Sequence, residues 1–447
     1  MNRDRRRTLF LACALGAGIA GVLVTACTSS EDEGPRPSDA DAGDAAPDAI
    51  DTDDAGDSTR EDGGEVLVDA SVPSVTCATT PCAVEIAAGL DSACVRLSDG
   101  TVRCWGSNAA GELGRGDEPG SPANAPAPVI GLNDAVQISG SASLPSDVYC
   151  ALRSNGAVVC WGSNDNGVLG RVNDGAIDTT SSGTPTPVEG LGPATGVFAG
   201  HHVACATHAG NDITCWGSNT GAQIPGHPSG EGDLIAATTF SLVAVSKALA
   251  LADRGTIALT EGGLVSWGRG GDLLGPGTGV LGREASTEVS LPEGVSLPHV
   301  SSVVASAGRA CAISNGRVFC WGAGPISGSD SVYPTYAGVG TETIYAQTIA
   351  IGPRSACATT SDGAAICWGD NTRGQLGAGN FDLRPTPVRV QKLSGIPVRM
   401  AVMEATTCAI LATGAVQCWG QNDKGQLGTG TADALPHLEP QDVVLTP

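Results

Sequence analysis

The chain has 447 residues, of which 47 are acidic and 24 basic, so its formal net charge at pH 7 is −23. A surface that binds nucleic acid must neutralise phosphates with lysine and arginine, so this balance argues against nucleic acid as a partner. Beyond residue 26 no apolar stretch approaches the roughly 20 residues of a transmembrane helix, which excludes a later helical span.

Residues 1–26 have the organisation of a lipoprotein signal peptide. Arginines at the N-terminus precede an apolar run over residues 9–24, and Thr25-Ala26-Cys27 follows as a small-residue cleavage site. We expect Cys27 to be lipidated and to become the mature N-terminus; the alternative, an ordinary signal peptide, leaves a lone cysteine at the junction. A lipid anchors without spanning, so the membrane is a partner only through Cys27. Thr28 favours the outer membrane or cell surface of the envelope over the inner membrane.

Residues 27–73 are predicted to form a disordered acidic tether. Between residues 31 and 69 there are 15 acidic and two basic side chains, with abundant Ala, Gly and Pro. Such a segment buries too little apolar surface to fold, and its like charges extend it. A calcium site at Asp51, Asp53 and Asp62 is the weaker interpretation, because no calcium-binding loop ending in Glu surrounds them.

Residues 74–447 contain a repeat whose unit includes one tryptophan followed by glycine. The tryptophans recur every 47 to 56 residues, which suits four short strands and their turns, as in a propeller blade. We expect these side chains to form the repeat core: Trp105, Trp161, Trp216, Trp267, Trp321, Trp368 and Trp419.

Each unit is expected to contain a small-residue strand, a β-hairpin and a proline-rich outer strand such as Pro185-Thr186-Pro187-Val188. The segment before Trp105 and the segment after Trp419 together have the length of one repeat. We therefore predict an all-β, seven-bladed propeller that is closed by N- and C-terminal strands, with the two termini jointly building one blade.

The repeat resembles the RCC1 (regulator of chromosome condensation) family through W-G-x-N-x-x-G-x-L-G and an upstream x-x-D-G hairpin. The four close matches begin at Trp105, Trp161, Trp368 and Trp419. The third, fourth and fifth units depart from this motif. The resemblance covers residues 74–447 and implies the propeller fold.

Twelve cysteines form six repeated pairs within the predicted hairpins, nine or ten residues apart. In the fourth unit Thr256 and Ser266 stand in their place, and joint loss is what bonded partners predict. Three-residue loops such as Ser98-Asp99-Gly100, and the two-residue Asn315-Gly316, put the paired cysteines opposite each other. The predicted disulfides are Cys94–Cys104, Cys150–Cys160, Cys205–Cys215, Cys311–Cys320, Cys357–Cys367, Cys408–Cys418 and, most simply, Cys77–Cys82.

No residue set in the repeats indicates catalysis, a metal or a cofactor. His201, His202 and His208 invite a zinc interpretation, but surface histidines fit better, because strand alternation separates His201 from the other two. The glycines at 275, 277 and 279 lack the Gly-Lys-Ser/Thr of a phosphate loop and are better explained as turns.

We therefore expect a monomeric, non-catalytic binding scaffold that presents propeller loops to an extracellular or envelope protein or ligand. The irregular loops 171–183, 221–239 and 322–339 are the candidates. One alternative is guanine-nucleotide exchange, which the family resemblance implies, although secretion and disulfides oppose a cytosolic GTPase partner. The other is an extracellular hydrolase or lyase, for which the repeats supply no paired carboxylates.

Overall fold

The computed structural model describes residues 74–445, except 142–146, 201, 228–233, 243–245, 262, 270–282, 289–296, 323–330 and 337–344; at 246–247, 283–288, 331–336 and 384–385 it describes the backbone alone. The chain divides into two units, Met1–Gly64 and Glu65–Pro447, and every described residue belongs to the second. The predicted signal peptide, the lipidation site Cys27 and the tether lie outside the described residues.

The described residues form seven four-stranded antiparallel sheets, the blades, which follow one another along the chain. Blade 1 has β1 (Ala83–Ala88), β2 (Ser92–Leu97), β3 (Val102–Gly106) and β4 (Ala123–Pro128). Blade 2 has β5 (Ala135–Ser141), β6 (Val148–Arg153), β7 (Val158–Gly162) and β10 (Ser182–Pro187), with a small hairpin of β8 (Val172–Asn173) and β9 (Ala176–Ile177) inserted. Blade 3 has β11 (Gly196–Ala199), β12 (Val203–Thr207), β13 (Asp212–Ser218) and β14 (Leu234–Ser241).

Blade 4 has β15 (Ser246–Ala252), β16 (Gly255–Thr260), β17 (Gly263–Gly268) and β18 (Arg283–Glu288). Blade 5 has β19 (Val300–Ser306), β20 (Arg309–Ser314), β21 (Arg317–Gly322) and β22 (Ser331–Tyr336). Blade 6 has β23 (Ala346–Ile351), β24 (Ser355–Thr360), β25 (Ala365–Gly369) and β26 (Arg384–Arg389). Blade 7 has β27 (Pro397–Val402), β28 (Thr406–Leu411), β29 (Val416–Asn422) and β30 (Asp433–Asp442).

The predicted seven-bladed propeller is confirmed. The first strand of every blade lines a central channel whose volume is about 300 Å³. Small side chains such as Ala87, Ser139 and Ala350 line it together with larger apolar residues such as Leu249 and Met400. Among the described residues no helix is long and apolar enough to cross a membrane.

The hairpin turns between the second and third strands follow the sequence pattern. In blade 1, the Leu97 N–H donates to the Thr101 carbonyl (2.8 Å), the Gly100 N–H donates to the Leu97 carbonyl (3.0 Å), and Gly100 has a φ of 83°. This is the expected three-residue loop, in which glycine takes the left-handed position. In blade 5 both Asn315 and Gly316 have positive φ, as a two-residue type I′ turn requires.

The described residues contain seven disulfides, and they join the cysteines that the sequence analysis pairs. In the six hairpin disulfides the two Cα atoms lie 4.0 to 4.1 Å apart on directly opposed residues. Cys77 and Cys82 are bonded just before β1. In blade 4 the residue opposite Ser266 is Ile257, not Thr256 as expected, since Thr256 pairs with Trp267. The register differs because the blade 4 hairpin turns through two residues between Thr260 and Gly263.

Replacing Cys205 and Cys215 together by alanine should lower the free energy of unfolding by about 2 to 3 kcal/mol, because the bond closes a short loop in the unfolded chain. Denaturant unfolding of the parent and the double variant measures this loss. Peptide mapping of the oxidised parent without reductant should recover the seven linked pairs. Free thiols at these fourteen cysteines would contradict the assignment.

The ring closes differently from the sequence prediction. Blade 1 is built entirely from β1–β4 and blade 7 entirely from β27–β30, so the prediction that the two termini share one blade is wrong. The segments before Trp105 and after Trp419 still add up to one repeat, because in every blade two strands precede the tryptophan strand and one follows it. Blades 1 and 7 instead meet side by side, and the Ala83 N–H donates to the Gly414 carbonyl (3.2 Å).

Candidate functional site

The direction of the strands sorts the connections of each blade onto two faces of the propeller. On one face, here called the turn face, lie the short turns between the second and third strands. On the other, here called the loop face, lie the turns between the first two strands and the longer loops between the third and fourth. In blade 1 that longer loop starts after Gly106 and returns at Ala123, and these two residues pair with each other.

The recurring motif of the repeat fixes the base of these loops. In blade 6 the buried Asn371 accepts a hydrogen bond from the Leu376 N–H (3.0 Å) and donates to the carbonyls of Asn380 (2.9 Å) and Asp382 (3.1 Å). One side chain therefore ties both ends of the loop together. In four other blades the asparagine at the equivalent position accepts the corresponding hydrogen bond from a backbone N–H: Asn108, Asn164, Asn219 and Asn422.

The tryptophans hold neighbouring blades together. All seven are buried, and each lies in a cluster with the disulfide of the preceding blade, or with Ile257 and Leu259 where the disulfide is missing. The indole N–H of Trp419 donates to the Gln375 carbonyl of blade 6 (2.9 Å). Equivalent bonds between neighbouring blades are made by Trp105, Trp161, Trp216 and Trp267.

The second glycine of the motif makes room for this indole. A Cβ atom at Gly377 would lie 2.8 Å from Trp419 Nε1, and the φ of Gly377 is +64°. The bond from Trp105 to the Gln426 carbonyl joins blade 1 to blade 7 and so completes the ring. The repeat therefore produces a rigid frame, and sequence differences are left to the loops.

Two of the three predicted candidate loops have described segments on the loop face. Within 171–183, β8 and β9 form a hairpin, and Arg171 contacts Asp178 (3.1 Å) at its base. Within 221–239, Asn219 braces the first part, and residues 228–233 lie outside the described residues. Most of 322–339 also lies outside them.

Exposed apolar side chains also occur on the loop face. Phe381 and Leu383, in the blade 6 loop, are 51% and 58% exposed, and Leu435, in the corresponding part of blade 7, is 74% exposed. Exposed large apolar residues are typical of protein-binding surfaces when they lie together. These three residues were not identified from the sequence, because their exposure depends on the loop conformation.

Charged groups surround the channel opening on the loop face. Lys424 of blade 7 contacts Asp91 of blade 1 (2.5 Å), and Arg354 contacts Asp370 (2.7 Å) and Glu404 of blade 7 (3.8 Å). Burial opposes the positive charge of Lys424, but the hydrogen bond to Asp91 and the negative charges of Asp91, Asp423 and Asp147 together outweigh that effect and raise the pKa of Lys424. The Lys424–Asp91 and Arg354–Glu404 pairs connect neighbouring blades at the opening, whereas the Arg354–Asp370 pair lies within blade 6.

A buried polar cluster between blades 1 and 2 was missed by the sequence analysis. Asp147 is 1% exposed; it accepts hydrogen bonds from the Leu90 N–H (2.5 Å) and from Ser92 Oγ (2.7 Å). Ser92 Oγ also lies 2.8 Å from Tyr149 Oη, and the buried Glu112 is nearby. The sequence signal was available, since Tyr149 precedes a hairpin cysteine where five of the six hairpin disulfides have alanine or threonine.

Burial changes the acidity of this cluster. Desolvation, together with the charges of Glu112 and Asp91, raises the pKa of Asp147 to about 7, against the hydrogen bonds from Ser92 and Leu90. Burial also raises the pKa of Glu112, and burial and Asp147 together raise the pKa of Tyr149. Both oxygens of Asp147 are already bonded inside the protein, so the cluster stabilises one arrangement of two blades rather than facing a substrate.

The predicted histidine candidates lie at opposite ends of one strand. His202 precedes β12 on the loop face, and His208 follows it, with its ring nitrogens 2.8 Å from the Pro193 carbonyl and from Thr214 Oγ1. Six residues of extended chain span roughly 20 Å, so the two rings cannot share an ion. His201 lies outside the described residues. Within the described residues no three His, Cys, Asp or Glu side chains are placed to hold a metal.

Comparisons with known families identify the repeat. Two family models described as the regulator of chromosome condensation (RCC1) repeat match the chain, one at residues 83–112, 347–375 and 405–426, the other at 155–207 and 362–409. The matches fall mainly in blades 1, 2, 6 and 7, where the motif is closest to the family pattern.

Curated relatives are similar over part of their length. The E3 ubiquitin-protein ligase HERC2 of Homo sapiens is 29% identical over 362 residues, which are 79% of this chain and 6% of that protein. The ultraviolet-B receptor UVR8 of Arabidopsis thaliana is 31% identical over 201 residues, 43% of this chain and 44% of the receptor. The chain thus spans less than half the length of either relative.

Solved structures share the fold at low sequence identity. Human WBSCR16 superposes with a TM-score of 0.61 at 20% identity, covering 73% of this chain and 85% of that one. Prp20p of Saccharomyces cerevisiae also superposes with a TM-score of 0.61, at 18% identity, covering 82% and 88% of the two chains. These similarities are to the propeller itself.

Proposed function

The chain carries RCC1 repeats and folds as a seven-bladed propeller, and from that premise we propose that it is a non-catalytic binding scaffold of the cell envelope. A lipid on Cys27 anchors it, residues 27–73 hold the propeller away from the membrane, and the loop face binds an extracellular or envelope protein. The propeller acts as a monomer.

One observation carries the proposal: the frame repeats, whereas the loops do not. Buried asparagines such as Asn371 and indole bonds such as that of Trp419 fix the base of each loop in the same way. Beyond that base, blade 2 adds a hairpin and blade 6 exposes Phe381 and Leu383. Binding residues are commonly carried on loops that a rigid scaffold positions.

Three further observations support an oxidising compartment, a protein partner and a non-catalytic role. Seven disulfides among the described residues are typical of proteins outside the cytosol. Prp20p, which shares the fold, binds Gsp1p and histones, so one propeller of this type is a protein-binding surface. Asp147, the carboxyl whose pKa is raised to about 7, is enclosed and out of reach of a substrate, which favours binding over hydrolysis.

Photocrosslinking from the two faces tests the proposal. We expect benzoylphenylalanine in place of Phe381, on the loop face, to crosslink the full-length protein to one envelope protein. An excess of the same protein without benzoylphenylalanine should compete for that partner and reduce the crosslinked product. The matched control places the same residue at Asn155, an exposed position in a turn of the turn face, where no such product should form.

Two outcomes would contradict the proposal. Crosslinking that is equal from both positions, or stronger from Asn155, would exclude the loop face as the binding surface. A Cys27→Ser chain that stays in the membrane fraction would exclude the lipid anchor, since the anchored protein should be released from that fraction by this substitution.

A further inference from the structure

The outermost strand of each blade has one edge that pairs with no other strand of its sheet, and the register identifies an equivalent position on all seven. It is the residue immediately before the one that pairs with the second hairpin cysteine, or with Ser266 in blade 4. From blade 1 to blade 7 the residues at this position are Pro126, Pro185, Ala237, Ser286, Pro334, Pro387 and Pro440. Five of the seven edges therefore have proline there, and blades 3 and 4 do not.

Proline at this position removes a hydrogen-bond donor from the open edge. Along an antiparallel strand, successive residues direct their N–H and C=O groups alternately towards one neighbour and the other. In blade 1 the Val129 N–H points inward, since it donates to the Val102 carbonyl (2.9 Å). The N–H of Ala127, two residues earlier and paired with Cys104, therefore also points inward. Pro126, between two such inward positions, occupies an outward one. The prolines thus block strand addition to five edges.

The edge of β14 in blade 3 keeps its donors. Thr238 pairs with Cys215, and the Leu242 N–H donates inward to the Asn211 carbonyl (3.0 Å), so Ala237 and Thr239 direct their N–H groups outward. Neither outward N–H group is hydrogen-bonded to another described residue. β14 is the outermost strand of its sheet, and at eight residues it is longer than the usual strand. It offers the backbone pattern that an additional strand requires.

The charge near this edge indicates what kind of strand it accepts. At one end Ser241 is hydrogen-bonded to the exposed Asp212. At the other end the β8–β9 hairpin, with Asp174 in its turn, contacts the start of β14. No described basic side chain forms an ion pair with Asp174 or Asp212, and residues 70–447 carry a net charge of −13. An incoming strand is therefore favoured if its ends are basic.

We propose that the open edge of β14 binds an extended, basic peptide segment of a partner protein by strand addition. The peptide pairs with the backbone of Ala237 and Thr239, and its terminal basic side chains approach Asp174 and Asp212. This site is separate from the loop-face apolar residues of blades 6 and 7. β18 of blade 4 lacks the proline as well, but the structure describes only the backbone of that strand, so the proposal is restricted to β14.

Binding of a defined probe to matched variants tests the site. The probe is a fluorescein-labelled Lys-Val-Thr-Val-Thr-Val-Lys peptide, added to the full-length oxidised protein and followed by fluorescence anisotropy. Ala237→Pro places on β14 the residue that five other edges carry, and should weaken binding at least tenfold. Ala237→Ser, the residue of blade 4, keeps the donor and should change the affinity less than twofold. A probe with glutamate in place of both lysines should bind at least tenfold more weakly.

A second measurement avoids dependence on the folding of a variant. N-methylation of the probe at alternate residues removes donors from one edge of the peptide only, so one of the two alternation patterns should abolish binding and the other should preserve it. Hydrogen exchange should show that the unmodified probe protects amides within 234–241.

Several results would overturn the proposal. They are equal probe affinity of Ala237→Pro and the parent, equal loss with both N-methylation patterns, and protection of amides elsewhere. Dimerisation of the parent that Ala237→Pro abolishes would show that a second copy occupies the edge instead. Crosslinking from position 381 should be unaffected by Ala237→Pro, so failure here is distinguishable from failure of the proposed loop-face function.

Discussion

Trp419→Ala is expected to lower the free energy of unfolding by about 3 to 5 kcal/mol, the range for truncating a fully buried large aromatic side chain. The indole fills the space between blades 6 and 7, against the Cys357–Cys367 disulfide and Leu376. Its removal leaves a cavity that Gly377 cannot fill, since glycine has no side chain. Denaturant unfolding of the oxidised protein, followed by tryptophan fluorescence and circular dichroism, measures the loss.

A conservative variant separates packing from hydrogen bonding. Trp419→Phe keeps most of the ring but loses the N–H donor to the Gln375 carbonyl, a bond whose removal costs about 1 kcal/mol. That carbonyl also accepts a hydrogen bond from Thr407 Oγ1 (2.8 Å), so it is not left without a donor. Leu435→Ala, at an exposed position, is the control and should change stability little. A loss below 1 kcal/mol for Trp419→Ala would refute the role assigned to the tryptophans.

Asp147→Asn is expected to stabilise the protein at pH 8 and to have little effect near pH 3. The pKa of Asp147 is about 7 in the folded protein, against an ordinary value of 3.8. The fold therefore favours the protonated carboxyl, and stability contributed by that proton is lost as the pH rises from about 4 to 7. At 1.36 kcal/mol per pKa unit, the cost of ionising Asp147 in the fold reaches about 4 kcal/mol as an upper bound.

The asparagine avoids this cost while keeping the local bonds. Its Oδ1 accepts from the Leu90 N–H, and its Nδ2 donates to Ser92 Oγ, which then donates to Tyr149. Unfolding measured between pH 3 and 8 should show a smaller decline of stability with pH in the variant than in the parent. Parallel pH profiles of parent and variant would show that the pKa of Asp147 is the same in the folded and unfolded protein, which would refute the raised value.

Asp99→Asn provides a control of opposite sign. Burial is slight at Asp99, and hydrogen bonds from Thr101 outweigh it and lower the pKa of this carboxyl. A lowered pKa contributes stability above the ordinary pKa, and that stability is lost as the pH falls. Asp99→Asn should therefore weaken the protein slightly at neutral pH, whereas Asp147→Asn strengthens it.

Much of the fold could be predicted from local patterns. The tryptophan spacing gave the blade number, since each blade repeats one segment of chain. The hairpin loops, such as Ser98-Asp99-Gly100, gave the cysteine pairing, because loop length determines which residues face each other. In blade 4 the two-residue turn after Thr260 was overlooked, and the expected position was therefore one residue away from Ile257.

The candidate site was predicted less completely. The loops 171–183 and 221–239 were identified because their length departs from the repeat. The exposure of Phe381 and Leu383 was not, since aromatic and aliphatic residues in a loop can as readily pack under it. Asp147 was overlooked because the available signal lay in its neighbour Tyr149, and the burial of the aspartate itself depends on contacts with blade 1.

The sequence by itself determined the repeat, the number of blades and the cysteine partners, because all three depend on residues close together in the chain. Only the tertiary structure decided how blades meet: that Trp105 of blade 1 bonds to Gln426 of the adjacent blade 7, that the terminal blades are each built from one segment, and that Asp147 is enclosed. It also decided which edges are open to a partner, since the direction of the N–H groups of Ala237 and Thr239 follows from pairing with β13. These properties depend on contacts between distant segments, which no local pattern encodes.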